Sequence, residues 1–169
     1  MGQLRNGAAA LAPLMHPHPA DMLNAYAHCV RNHGHTFATA GCVVIDTETG
    51  TATYSLAGHP PPLLVQPDGS TVWLDKALAP PMESSRVDHY GEASIVLTAG
   101  STIVMYSDGL IERRGESLSV GLQRLSDLAS RHALAVDLEA VAARLVQEMT
   151  ADAAPEVDIV VVCARWQPA

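Results

Sequence analysis

The chain has 169 residues, 48% hydrophobic and 17% charged, which suits one globular domain with a core of its own and excludes a disordered chain. Its 10 basic and 18 acidic residues leave a net charge of −8, which argues against a nucleic-acid partner. Three widely spaced cysteines, Cys29, Cys42 and Cys163, fit a reducing compartment better than a disulfide framework.

No apolar run approaches the ~20 residues of a membrane helix, and the start lacks a signal-peptide layout, so a cytoplasmic protein without a membrane partner is expected. Aromatic residues are only 4%, so Ala, Val, Leu and Ile must build the core. The first segment, MGQLRNGAAALAPLM, predicts a helix stopped by the prolines of HPHP at 16–19. A second helix is expected from Pro19-Ala20-Asp21 to about Arg31. Pro19 suits a first-turn position, and Met22, Leu23, Tyr26, Ala27 and Val30 recur at helical spacing. Gly34 ends it.

The period then changes. Thr36–Asp46 is rich in small and β-branched residues, Thr47-Glu48-Thr49-Gly50 reads as a hairpin turn, and Thr51–Leu56 returns as a second strand. Leu63–Gln66 and Thr71–Leu74 flank the turn Pro67-Asp68-Gly69 as another hairpin. Ala77–Pro81 reads as a proline-broken loop, followed by strands at Ala93–Leu97 and Ser101–Tyr106 around Ala99-Gly100. Helices are expected near Ser119–Arg131 and Leu138–Met149. Asp158–Ala164 is almost wholly apolar, which predicts a strand buried on both faces or inserted centrally. This order predicts an α+β class, with antiparallel sheets flanked by helices in a single domain over 1–169.

One stretch poses a chemical question. In VMYSDGLIERR (104–114) an apolar strand ends in Ser107, Asp108 and Gly109. Asp-Gly is common turn punctuation. The same strand end could also hold the Asp108 carboxylate at a sheet rim for a metal ion or substrate.

Three phrases in order, FATAGCVVIDTETGTATYSLAGHPPPLLVQPDG (37–69), VLTAGSTIVMYSDGLIE (96–112) and VDIVVV (157–162), resemble the SpoIIE-like branch of the PPM phosphatases. These are the metal-dependent type 2C protein serine/threonine phosphatases. The resemblance implies an antiparallel β-sandwich flanked by helices, and hydrolysis of phosphoserine or phosphothreonine by two Mn²⁺ or Mg²⁺ ions. Hard cations of this kind take oxygen ligands, lower the pKa of a bound water and neutralise phosphoryl oxygens. By resemblance Asp108 is a metal-ligand position, with Gly109 turning the backbone beside it. Gly58 and His59, in the AGHPPP phrase, line the site by the same resemblance; the alternative is that the prolines stiffen a strand-to-strand crossing and His59 is a polar cap.

The chain also departs from the pattern. The family carries a strand with a Gly-Asp-x-x-Asp type motif, and a Gly-His-Gly type turn, ahead of the helix that MGQLRNGAAALA resembles; neither motif stands in this sequence, so an N-terminally truncated domain is expected. The family's last strand opens with Asp-Asp, where this chain reads Val157-Asp158. Asp158 replaces the lost ligand only with a one-residue change of register, which turns its side chain to the other face. An incomplete metal site follows. Absent strands would also leave an open sheet edge, through which a homodimer is expected.

Other residues read more plainly. Cys29 and His33 share a helix face and, with His35, resemble part of a zinc set, but a closed site takes four convergent ligands. His16 and His18, in HPHP, tempt the same zinc reading, and exposed histidines are the plainer explanation for both groups. Arg113 and Arg114 suit docking of a phosphorylated partner, because arginine binds phosphate bidentately, though a solvated loop pair is the commoner explanation. Asp46 reads as a turn residue, Trp73 as packing for a hairpin end and Trp166 as the close of the last strand. The expected function is metal-dependent dephosphorylation of a regulatory protein, an anti-anti-sigma-type partner by resemblance. The alternative is a phosphatase-like module or fragment that binds such a partner without turnover.

Overall fold

In a computed structural model of the chain, residues 18–32, 38–82, 89–151 and 158–168 are described, without the side chains of 29–32. The expected first helix, Gly34, Thr36, Phe37, Val157 and the Cys29, His33, His35 and His16 side chains lie outside the described residues. The elements in chain order are α1 (Pro19–Asn32), β1 (Ala40–Ile45), β2 (Thr51–Ala57), β3 (Leu63–Val65), β4 (Thr71–Trp73), β5 (Leu78–Ala79), β6 (Ala93–Val96), β7 (Thr102–Tyr106), a 3₁₀ turn (Asp108–Leu110), α2 (Leu118–His132), α3 (Leu138–Met149) and β8 (Val161–Arg165). The architecture is α+β, and the chain divides into two compact units.

The first unit holds residues up to His59 together with Asp75–Val96. Its sheet is built on β2, which pairs antiparallel with β1 and β6 and parallel with the short β5. The β1–β2 turn forms because the Asp46 carboxylate accepts the Glu48 and Thr49 amides at 2.9 and 3.1 Å. Those bonds to the charged form, Thr49 foremost, hold the Asp46 pKa below the usual carboxylate range. Asp46 is therefore a turn residue. Helix α1 buries Leu23 and Ala27 against Ala57, Met82 and Tyr90, as its helical spacing predicts. Asn24 clasps the Tyr90 backbone from both sides, accepting its amide at 2.8 Å and donating to its carbonyl at 3.2 Å.

The second unit holds Pro60–Leu74 and the chain from Leu97 onward. Its sheet runs β4-β3-β7-β8, antiparallel throughout. Leu63, Val65, Val104 and Tyr106 on one sheet face pack with Leu125, Leu128, Val141 and Leu145 of the two helices. At that face Trp73 meets Tyr106 edge to face, with ring centroids 6.5 Å apart, so Trp73 does pack the end of its hairpin. Helix α3 starts where Asp137 accepts the Glu139 and Ala140 amides. The backbone pairing of β7 with β8 extends to Trp166, whose amide donates to the Ser101 carbonyl at 3.1 Å.

Two expectations about strands need correction. Ala77–Pro81 is not wholly a loop, since Leu78-Ala79 forms a parallel strand too short to show any pattern in sequence. Among the described residues the last strand is not central: β8 ends its sheet, and Val160 and Val162 are 57% and 53% exposed. An unbroken apolar run cannot distinguish a strand between two neighbours from one at the end of a sheet.

Candidate metal centre

The site is built where β7 and β8 run out of pairing. The last paired residues are Tyr106 and Val161. Beyond them the Ser107 amide donates to the Val160 carbonyl at 2.9 Å. The Ser107 hydroxyl accepts the Val160 amide at 2.9 Å and donates to the Asp158 carbonyl at 3.1 Å. One short side chain thus satisfies both backbone groups of the strand that leads from Asp158.

The chain then curls into the 3₁₀ turn. The Asp108 carbonyl accepts the Ile111 and Glu112 amides, each at 2.9 Å. The Asp108 carboxylate accepts the Gly109 amide at 2.8 Å, which fixes its orientation. Gly109 and Leu110 are buried, while Asp108 is exposed. Asp-Gly is therefore a turn, and the turn also presents a carboxylate at the sheet end. The two readings of VMYSDGLIERR are compatible.

Asp158 reaches the same end from the other strand. Ile159, Val161 and Cys163 pack against the helix-covered core, whereas Asp158, Val160 and Val162 alternate with them. Asp158 is exposed, so the pleat directs it to the sheet face away from the helices. The second unit thus brings Asp108, Gly109 and Asp158 to one sheet end.

Gly58 and His59 lie in the first unit. Gly58 has φ +66°, and a Cβ there would fall 2.3 Å from the Pro81 ring, so only glycine fits. The His59 ring lies against Gly41, where an added Cβ would come within 3.0 Å of it. Arg113 donates to the Met149 carbonyl at the end of α3, which commits part of its guanidinium to the fold; Arg114 is exposed. Two residues escaped the sequence reading. Ser107 was hidden in the YSDGL phrase, and Gly121 shows only as a glycine within a helical pattern.

The donor set suits a hard divalent cation. Two exposed carboxylates can hold Mg²⁺ or Mn²⁺ that keeps several of its waters. They are too few to enclose a pair of ions. Among the described residues no three His, Cys, Asp or Glu side chains gather to hold a metal.

The family described as stage II sporulation protein E (SpoIIE) matches residues 1–167, and the chain belongs to that family. It is a family of PPM-type phosphatases. The chain is similar to the solved RsbU and RsbW domains of a Mycobacterium tuberculosis protein, with 27% identity and a TM-score of 0.88. That similarity covers 100% of this chain and 48% of the other, so the chain spans about half its length. The SiaA-PP2C domain of Pseudomonas aeruginosa matches at 19% identity and TM-score 0.75, over 97% of this chain and 68% of that one. The catalytic domain of the serine/threonine phosphatase PstP, solved with two manganese ions, matches at 16% identity and TM-score 0.65, over 98% and 80% of the two chains. The last two show the fold, an α+β architecture with two antiparallel-rich sheets. No helix among the described residues is long and apolar enough to cross a membrane.

Proposed function

We propose that this chain is part of a phosphatase that hydrolyses phosphoserine or phosphothreonine on a regulatory protein, an anti-anti-sigma-type partner, with Mn²⁺ or Mg²⁺. One observation carries the reading: Asp108 and Asp158, far apart in sequence, stand at one sheet end tied together by Ser107. A cation bound there supplies an acidified water and charge neutralisation for the phosphoryl group. Asp108 and Asp158 would hold that cation. The Gly109 amide keeps the Asp108 carboxylate oriented, so little reorganisation is needed when the ion arrives. Exposed Arg114, next in the chain to Arg113, docks the phosphorylated partner.

The shortage of ligand side chains among the described residues favours a second reading, a phosphatase-like module that binds such a partner without turnover. Asp108→Ala separates the two. With a phosphoserine-bearing regulator as substrate, the enzyme reading expects phosphate release to vanish while the partner still binds. A wild-type chain that binds the partner and releases no phosphate at any Mn²⁺ concentration establishes the binding module instead.

The homodimer would use β8, which ends its sheet among the described residues, with Val160 and Val162 exposed nearby. An antiparallel register centred on Val161 would set Val160 against the partner's Val162 and Asp158 against the partner's Ala164, with no like charges opposed.

A further inference from the structure

We infer that Ser107 is a positioning residue for the metal end, a clasp whose hydroxyl fixes Asp158 relative to Asp108. The inference rests on the metal reading above and concerns how this chain holds the two carboxylates together.

Regular pairing stops at Tyr106 and Val161 because the next residues of the first strand turn away into the 3₁₀ turn. Residues 158–160 would then lack partners on that side. A backbone amide and carbonyl left unpaired there favour fraying, since each would seek water. Ser107 prevents this with one group. Its hydroxyl accepts the Val160 amide at 2.9 Å and donates its proton to the Asp158 carbonyl at 3.1 Å. The adjacent Ser107 amide holds the Val160 carbonyl at 2.9 Å. A hydroxyl is the small side-chain group that both accepts and donates; alanine, valine or a carboxylate could not satisfy both backbone partners.

The clasp acts next to both candidate ligands. Ser107 precedes Asp108 in the chain and bonds to the Asp158 backbone itself. A change at the hydroxyl therefore moves one carboxylate relative to the other without removing either. Groups that orient metal ligands typically matter by about 10–100-fold in metal affinity. Threonine keeps the hydroxyl and should preserve the clasp.

The test measures Mn²⁺ binding by titration calorimetry in the wild type, Ser107→Ala, Ser107→Thr and Asp137→Ala, with amide hydrogen exchange at Val160. Ser107→Ala should lose about 10-fold or more in Mn²⁺ affinity and exchange the Val160 amide faster. Ser107→Thr should restore both. Asp137→Ala loses a helix cap outside the proposed site and should leave Mn²⁺ affinity unchanged, so general destabilisation is separated from positioning. Wild-type Mn²⁺ affinity in Ser107→Ala, with a faster Val160 amide, overturns the clasp and leaves the metal reading standing. A wild-type chain that binds no Mn²⁺ overturns both.

Discussion

A Cβ added to Gly121 would lie 1.9 Å from the carbonyl oxygen of Ile111, far inside contact distance. Helix α2 therefore crosses the segment just after the Asp108 turn at a separation only glycine permits. Ile111 is itself bonded to the turn, its amide donating to the Asp108 carbonyl. The clash is with backbone, which cannot swing aside as a side chain would. Gly121→Ala should destabilise the chain by about 2 kcal/mol, despite the better helix propensity of alanine. The urea midpoint reports it, and a midpoint equal to or above wild type would show that α2 is free to shift.

Alkaline stability follows from the buried phenol. Burial pushes the Tyr106 pKa well above its ordinary value of about 10, and the hydroxyl donates to the Pro61 carbonyl at 2.9 Å. The folded state thus holds its proton longer than the unfolded state does. Its contribution is fully present below about pH 10 and is lost as pH rises beyond that. Burial also raises Cys42 and Cys163, whose losses begin nearer pH 9, with Arg165 partly offsetting the second. Urea midpoints measured from pH 8 to 11 should fall steeply above about 10 in the wild type. Tyr106→Phe should be weaker by about 1 kcal/mol at neutral pH and show a shallower alkaline fall. Parallel curves would contradict the assignment.

Asp137 caps α3 with one oxygen that accepts two amides, at 3.0 and 3.2 Å. Asp137→Ala should cost about 1 kcal/mol, and Asp137→Ser should recover most of it. Chemical denaturation of the three proteins settles the matter; equal midpoints would mean that water replaces the cap without loss.

Exposed Val162 of β8 and Val160 just before it make oligomeric state testable. Sedimentation over a range of concentrations should show a monomer–dimer equilibrium, and Val162→Lys should abolish it, because a charge on an edge strand opposes pairing. A wild type that stays monomeric throughout, with a sharp melting transition, removes the dimer.

Much of this fold was legible because its punctuation is chemical. Asp46 and Asp68 mark hairpin turns by bonding their own following backbone, and Pro19 marks a helix start. The Asp108 turn was legible too, since Asp-Gly after an apolar strand is turn punctuation. The place of β8 at the end of its sheet among the described residues was not, because neighbours across a sheet are set by distant chain. Ser107 escaped for the same reason: its hydroxyl partners lie 51 and 53 residues away. Gly121 needed the path of Ile111 to become meaningful.

The most direct test is hydrolysis of p-nitrophenyl phosphate with and without millimolar Mn²⁺, run beside Asp108→Ala. Turnover that requires Mn²⁺ and disappears in Asp108→Ala is the predicted result, and would mean that the Asp108 turn anchors a working site. No turnover in either protein, or turnover that survives the substitution, would contradict it.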